Sequence, residues 1–197
     1  MMETMTQHPE VFGHVRIIMA TVMGLSVARL LNGLARFVQH PKLDQIYGVH
    51  LGWALFLLLS VIHFWWFEFG LSRIETWTFP VYFFVLSYAA LFFFVCAILF
   101  PDRMDDYSGY EDYFHSRRRW FYGFLSCLFV IDVVDTAMKG AEHFRSLGPV
   151  YPYRQAALFS LAVVAMFVQD RRYHAGFVST AIIAQIWFIL AEFEILG

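Results

Sequence analysis

Asp132, Asp135, Thr136 and Lys139 recur at spacings of three and four inside an apolar run, so one helix carries them on a single face. Carboxylates in such a setting lose water, and desolvation disfavours their charged form. Proton uptake and cation binding then compete for the same oxygens, which is the chemistry of a proton or small-cation site. The same residues suit a plainer use, an Asp135–Lys139 ion pair at a helix end with Asp132 neutralised by Arg16. His63 and Glu68 lie in the segment HFWWFEF. A histidine there titrates near neutral pH or offers a neutral imidazole to a metal, with His14 as the matching ligand. The alternative is an interfacial histidine among aromatic neighbours. Glu192 and Glu194 point in different directions on a helix, so at most one joins a shared site.

A second group lies nearer the N-terminus. Ser26, Arg29, Asn32, Gly33 and Arg36 fall on one stripe at helical periodicity. Ala20, Gly24 and Ala28 form a small-residue face roughly opposite, suited to close packing at a pore or subunit interface. Arg29 and Arg36, and the Arg117, Arg118 and Arg119 run, suit lipid headgroups or another anionic group.

Haem ligation needs two histidines on neighbouring helices at matched depth. His14 with His63, or His50 with His40, His115 or His174, meet that condition, and spacing adds no further support. No cofactor is expected, with haem or a metal as the lesser alternative. The chain has no G-x-S-x-G, H-E-x-x-H, P-loop or dinucleotide fingerprint, so soluble-type catalysis is not expected.

Positioning these residues falls to elements shaped by an unusual composition. Charged residues make up 15% of 197 and apolar ones 59%. A soluble domain carries about 25% charged residues, and a chain this small needs that polar shell. The mean hydropathy of +0.56 agrees. Disordered chains, nucleic-acid binders and ordinary cytosolic enzymes are thereby excluded, and the net charge of −2 implies no polyelectrolyte partner. Cys96 and Cys127 are expected as small buried hydrophobes.

A bilayer core about 30 Å thick needs about 20 apolar residues per spanning helix. Residues 46–68 and 78–100 meet this with almost no charge, and 11–38, 119–139, 152–169 and 173–196 meet it around a few ionisable groups. The prediction is an all-α polytopic transmembrane bundle of about six helices, forming one integral membrane domain over 1–197. The first and fifth helices are the weakest, since a cationic amphipathic helix can lie in the interface. Continuous runs such as FFFVCAILF do not show the alternation of a membrane barrel. The segment 101–119 reads as a surface turn plus a short interfacial helix.

MMETMTQHPE has no Lys or Arg, so a cleaved secretory signal is not expected. Lys and Arg are more numerous on the side away from the termini, which predicts both termini outside the cytoplasm of a bacterial inner membrane. The functional expectation is a small transport or channel protein for protons or small cations, acting as a homo-oligomer in the lipid bilayer. Its site would draw on Asp132, Asp135, Glu68, His63 and Arg16. The alternative is a non-catalytic subunit or sensor bound to partner membrane proteins. A redox protein with haem or metal stands third.

Overall fold

A computed structural model describes residues 7–39, 46–74 and 76–192. The described residues contain helices and no strand. They are α1 (Gln7–Gln39), α2 (Gly48–Phe67), a 3-10 turn (Glu68–Arg73), α3 (Phe79–Leu99), α4 (Tyr110–Met138), α5 (Ala141–Ser146), α6 (Val150–Ala165) and α7 (Arg171–Glu192). The six longer helices close a ring, each packed on the next in the order α1, α3, α4, α6, α7, α2. Helix α2 also touches α3 and α4 across the ring.

Aromatic rings fill the interior. Trp53 is wholly buried and meets Phe121, Phe177 and Phe56 edge to face at 5.4, 5.0 and 5.4 Å between centroids. The outer surface is apolar too. Ile17 and Leu25 on α1, Phe79 and Phe94 on α3, and Ile183, Trp187 and Leu190 on α7 all point outward. A water-soluble helix would place charge there; helices apolar on both faces suit lipid. Five helices (all but α5 and α6) are long and apolar enough to cross a membrane. Helix α6, with 16 residues, rises about 24 Å. The protein is an integral membrane bundle.

Three local features differ from the sequence reading. Helix α4 begins at Tyr110, so Arg117, Arg118 and Arg119 ride on its first turns and not on a separate interfacial helix. Glu111 and Asp112 favour that start through the helix dipole, and the Ser108 N–H donates to Asp112 Oδ2 at 3.2 Å. Cys96 is buried as expected, whereas Cys127 lies on the exposed face of α4. The small-residue face of α1 packs on nothing at Gly24, and Ala28 is exposed with it, while Ala20 is half-buried. The close approach comes at Gly33 on the opposite stripe, where a Cβ would run into the Phe100 ring.

That stripe closes the end of α3. Arg29 Nη2 donates to Phe100 O at 2.7 Å and to Asp102 Oδ1 at 2.6 Å. Arg36 Nη1 reaches Pro101 O at 3.3 Å. Phe100 and Pro101 follow the last residue of α3, so the two guanidinium groups hold the exit of the helix from α1, while the Tyr113 hydroxyl donates to Ile98 O at 2.6 Å within its last turn. Arg117 donates to the Tyr107 hydroxyl at 2.8 Å and Arg118 to His115 O at 2.7 Å, while Arg119 is exposed.

A buried polar chain ties three helices. The Trp53 indole N–H donates to the Tyr122 oxygen at 3.2 Å, and Tyr122 O–H meets His174 Nδ1 at 2.9 Å. His174 Nε2 faces Val168 O at 3.1 Å, which can only accept. Nε2 therefore carries the proton, Nδ1 accepts, and the hydroxyl must donate. Tyr122→Phe leaves a buried donor and a buried acceptor unmatched. It is expected to destabilise the bundle by about 1–3 kcal/mol in micelle denaturation; an unchanged midpoint would show that the chain adds nothing.

Candidate functional site

At the end of the bundle that holds the C-terminal ends of α2, α4 and α7, polar residues gather a few turns below the helix termini. Asp132 is six residues before the last residue of α4, and Gln155 is five after the first of α6. That puts both roughly 8–9 Å from the helix ends. The structure divides this layer into two centres of different character.

The first is a closed ion cluster. Lys139 follows α4 directly, and its side chain is fully buried. Nζ donates to Glu68 Oε1 at 2.8 Å and to Asp135 Oδ2 at 2.5 Å, and lies 4.2 Å from the centre of the Phe67 ring. Gly140 turns the chain at a φ of +112°, a conformation that L side chains rarely adopt, and so lets Lys139 fold inward immediately after the helix. The Asp135–Lys139 pair of the sequence reading is present, and Glu68 joins it from 71 positions away. One ammonium cannot neutralise two buried carboxylates. Burial, with the Asp135 carboxylate beside it, pushes the Glu68 carboxyl up to about 8, against the attraction of Lys139.

A carboxyl raised in the folded state contributes stability below its unfolded value, near 4.5, and loses it as pH rises through about 8. The melting temperature in detergent is therefore expected to fall between about pH 5 and 8, and Glu68→Gln to flatten that slope. An equal slope in wild type and Glu68→Gln would refute the assignment.

The second centre is Asp132. Tyr88 O–H donates to Oδ1 at 3.0 Å and Tyr151 O–H to Oδ2 at 2.7 Å. The Gln155 amide N–H also donates to Oδ2. Thr136 Oγ1 lies 2.8 Å from the Tyr151 oxygen and 2.8 Å from Asp132 O, bracing the tyrosine. These donors come from α3 and α6 and are neutral. The carboxylate borders a cavity of about 50 Å³ whose wall belongs to α2, α3, α4, α6 and α7. Its apolar part includes Phe56, Phe64 and Phe129; its polar part includes His63, Arg154 and Gln185. Arg154 donates to Gln185 Oε1 and stacks 4.7 Å from the centre of Phe188.

Of the residues singled out by the sequence, His63 and Asp132 share this cavity, and Glu68 and Asp135 share Lys139. Arg16 is exposed on α1 and lines a separate small hollow with Met19, Trp65 and Glu68, so the alternative pairing of Asp132 with Arg16 gives way to hydroxyl and amide donors. His14 is exposed. Glu194 and His40 lie outside the described residues, as does the side chain of Glu192. Tyr88, Tyr151, Arg154, Gln155 and Gln185 were not foreseen. A signal existed in Tyr151, Arg154 and Gln155, which repeat at three and four residues on a short apolar helix.

Among the described residues no group of three or more His, Cys, Asp or Glu is arranged to hold a metal. His50 Nε2 is 2.7 Å from Leu99 O, and both ring nitrogens of His174 meet protein partners, so haem ligation by any of these three nitrogens would break an existing bond. Comparison with family models, curated proteins and solved structures finds no match to this chain.

Proposed function

We propose that this protein passes protons or small cations across the membrane through a site centred on Asp132. The observation that carries the reading is the contrast between its two carboxylate centres. Asp135 is neutralised by the ammonium of Lys139, as a structural charge should be. Asp132 accepts from two phenols and an amide at the edge of a cavity whose wall also carries Arg154, so the nearest fixed cation faces it across a space that water or an ion can enter. Intramembrane acids in protein-lined cavities serve ion and proton pathways.

The opposite end of the bundle carries Arg36, Arg103, Arg117, Arg118, Arg119, Arg171 and Arg172. Such an excess belongs in the cytoplasm. Both termini and the acidic layer then face outward from a bacterial inner membrane, and copies of the chain assemble through their apolar faces. Purified protein in liposomes is expected to dissipate an imposed ion gradient faster than empty vesicles. Equal rates in the two preparations would reject the function.

A second reading, a non-catalytic membrane subunit, draws on the open face of α1 at Gly24 and Ala28, where another helix could approach closely. Recovery of a stoichiometric membrane partner from native membranes, with no flux from the protein alone, would favour it.

A further inference from the structure

We infer that the Asp132 cavity takes water and the proton that water carries, and rejects metal cations; this rests on the ion-passing reading above. The argument is a count of donors and acceptors. An ionised carboxylate offers about four lone-pair sites. Tyr88, Tyr151 and Gln155 occupy three of them on Asp132. One remains for an incoming ion. A metal cation would have to bind that one lone pair beside the guanidinium of Arg154 on the same wall, which repels it.

Water fits what is left. Gln155 is 5% exposed, and its Oε1 is buried without a hydrogen-bond partner. Arg154 Nε is buried without one as well. One residue leaves an acceptor unmatched and the other a donor, and both line the same cavity. A water molecule supplies both a donor and an acceptor and needs two to four such neighbours. Each water requires roughly 10–15 Å³, so about 50 Å³ holds a short file of them. Ser60 and His63 lie on the same wall, from α2. The proton moves along that file: it leaves one water for the free lone pair of Asp132 and returns to water when the carboxyl ionises, and no bond other than O–H forms or breaks. The charged or titratable groups facing Asp132 across the cavity are His63 of α2, Tyr88 of α3, and Tyr151 and Arg154 of α6; α7 contributes neutral Gln185. Gln155 is then a positioning residue, holding the carboxylate with its nitrogen and the water with its oxygen.

The test uses the full chain in liposomes under separate gradients of proton, sodium and potassium. Proton flux is expected to exceed that of empty vesicles, with sodium and potassium flux at the empty-vesicle level. Gln155→Leu keeps the bulk but removes the amide, and is expected to lower proton flux about tenfold without creating sodium or potassium flux. Ion selectivity of the wild type decides the question even if Gln155→Leu does not fold. Sodium or potassium flux comparable with proton flux would overturn the inference and leave the ion-passing function standing. Undiminished proton flux in a folded Gln155→Leu would overturn the role of the amide-bound water. No flux of any ion would overturn both.

Discussion

Asp132→Asn is expected to lower ion flux in liposomes by about a hundredfold or more, because a group that must take up and release a proton loses the ability to do so. The loss should come without collapse of the bundle. Asparagine has the shape of aspartate, and its oxygen still accepts from Tyr88. Its amide nitrogen would face the donors Tyr151 and Gln155, but the Gln155 oxygen has no hydrogen-bond partner now and the amide can turn over to present it. Stability is thus expected to change by about 1 kcal/mol, the order of a single hydrogen bond. A folded Asp132→Asn protein with wild-type flux would remove Asp132 from the pathway.

The largest effect on stability is expected from Lys139→Met. Methionine fills similar space against Phe67 but removes the ammonium shared by Glu68 and Asp135. Two carboxyl groups are then left buried together without a counter-charge. Removing one partner from a buried ion cluster costs about 3–5 kcal/mol, a large share of the stability of a domain this size. The cost should fall steeply when the remaining charges are removed as well. Lys139→Met combined with Glu68→Gln and Asp135→Asn is expected to recover most of the lost stability, since what destabilises is the uncompensated charge. Equal destabilisation in the single and triple variants would mean that packing of the lysine stem, and not its charge, holds this end of the bundle.

The two variants separate the roles of neighbouring acids that the sequence alone could not separate. Asp132 and Asp135 are one helical turn apart, and both stand out because charge in an apolar run is costly. Depth along each helix placed Glu68, His63, Asp132 and Lys139 at one end of the bundle, since a fixed rise per residue converts position into height. Height says nothing of direction around the bundle. Arg16 lies at a suitable height, yet α1 packs beside α2 and α3, and the Asp132 cavity is walled by the other long helices. The Glu68–Lys139 contact was hidden for the same reason, as it joins segments 71 positions apart.

The neutral partners were harder still to see. Tyrosine is common at membrane interfaces, so Tyr151 reads as one more belt residue. Only the rotation of α6 against α4 turns it, with Gln155, onto Asp132. Tyr88 carried a faint signal as a phenol in the middle of α3, where a buried hydroxyl needs a partner. The spans themselves were legible because lipid demands long apolar helices. The start of α4 was not, because its first ten residues are mostly polar and their helix is set by Gly109 and the acids at its first turn.

Infrared difference spectroscopy of the reconstituted protein across a pH titration tests the central claim most directly. It is best done in the Glu68→Gln background, which removes a neighbouring carboxyl expected to hold a proton. The carbonyl band of protonated carboxylic acids should shift in deuterated water and lose a component when Asp132→Asn is added. A band left unchanged by Asp132→Asn would show that this carboxylate exchanges no proton and is a structural charge like its neighbour.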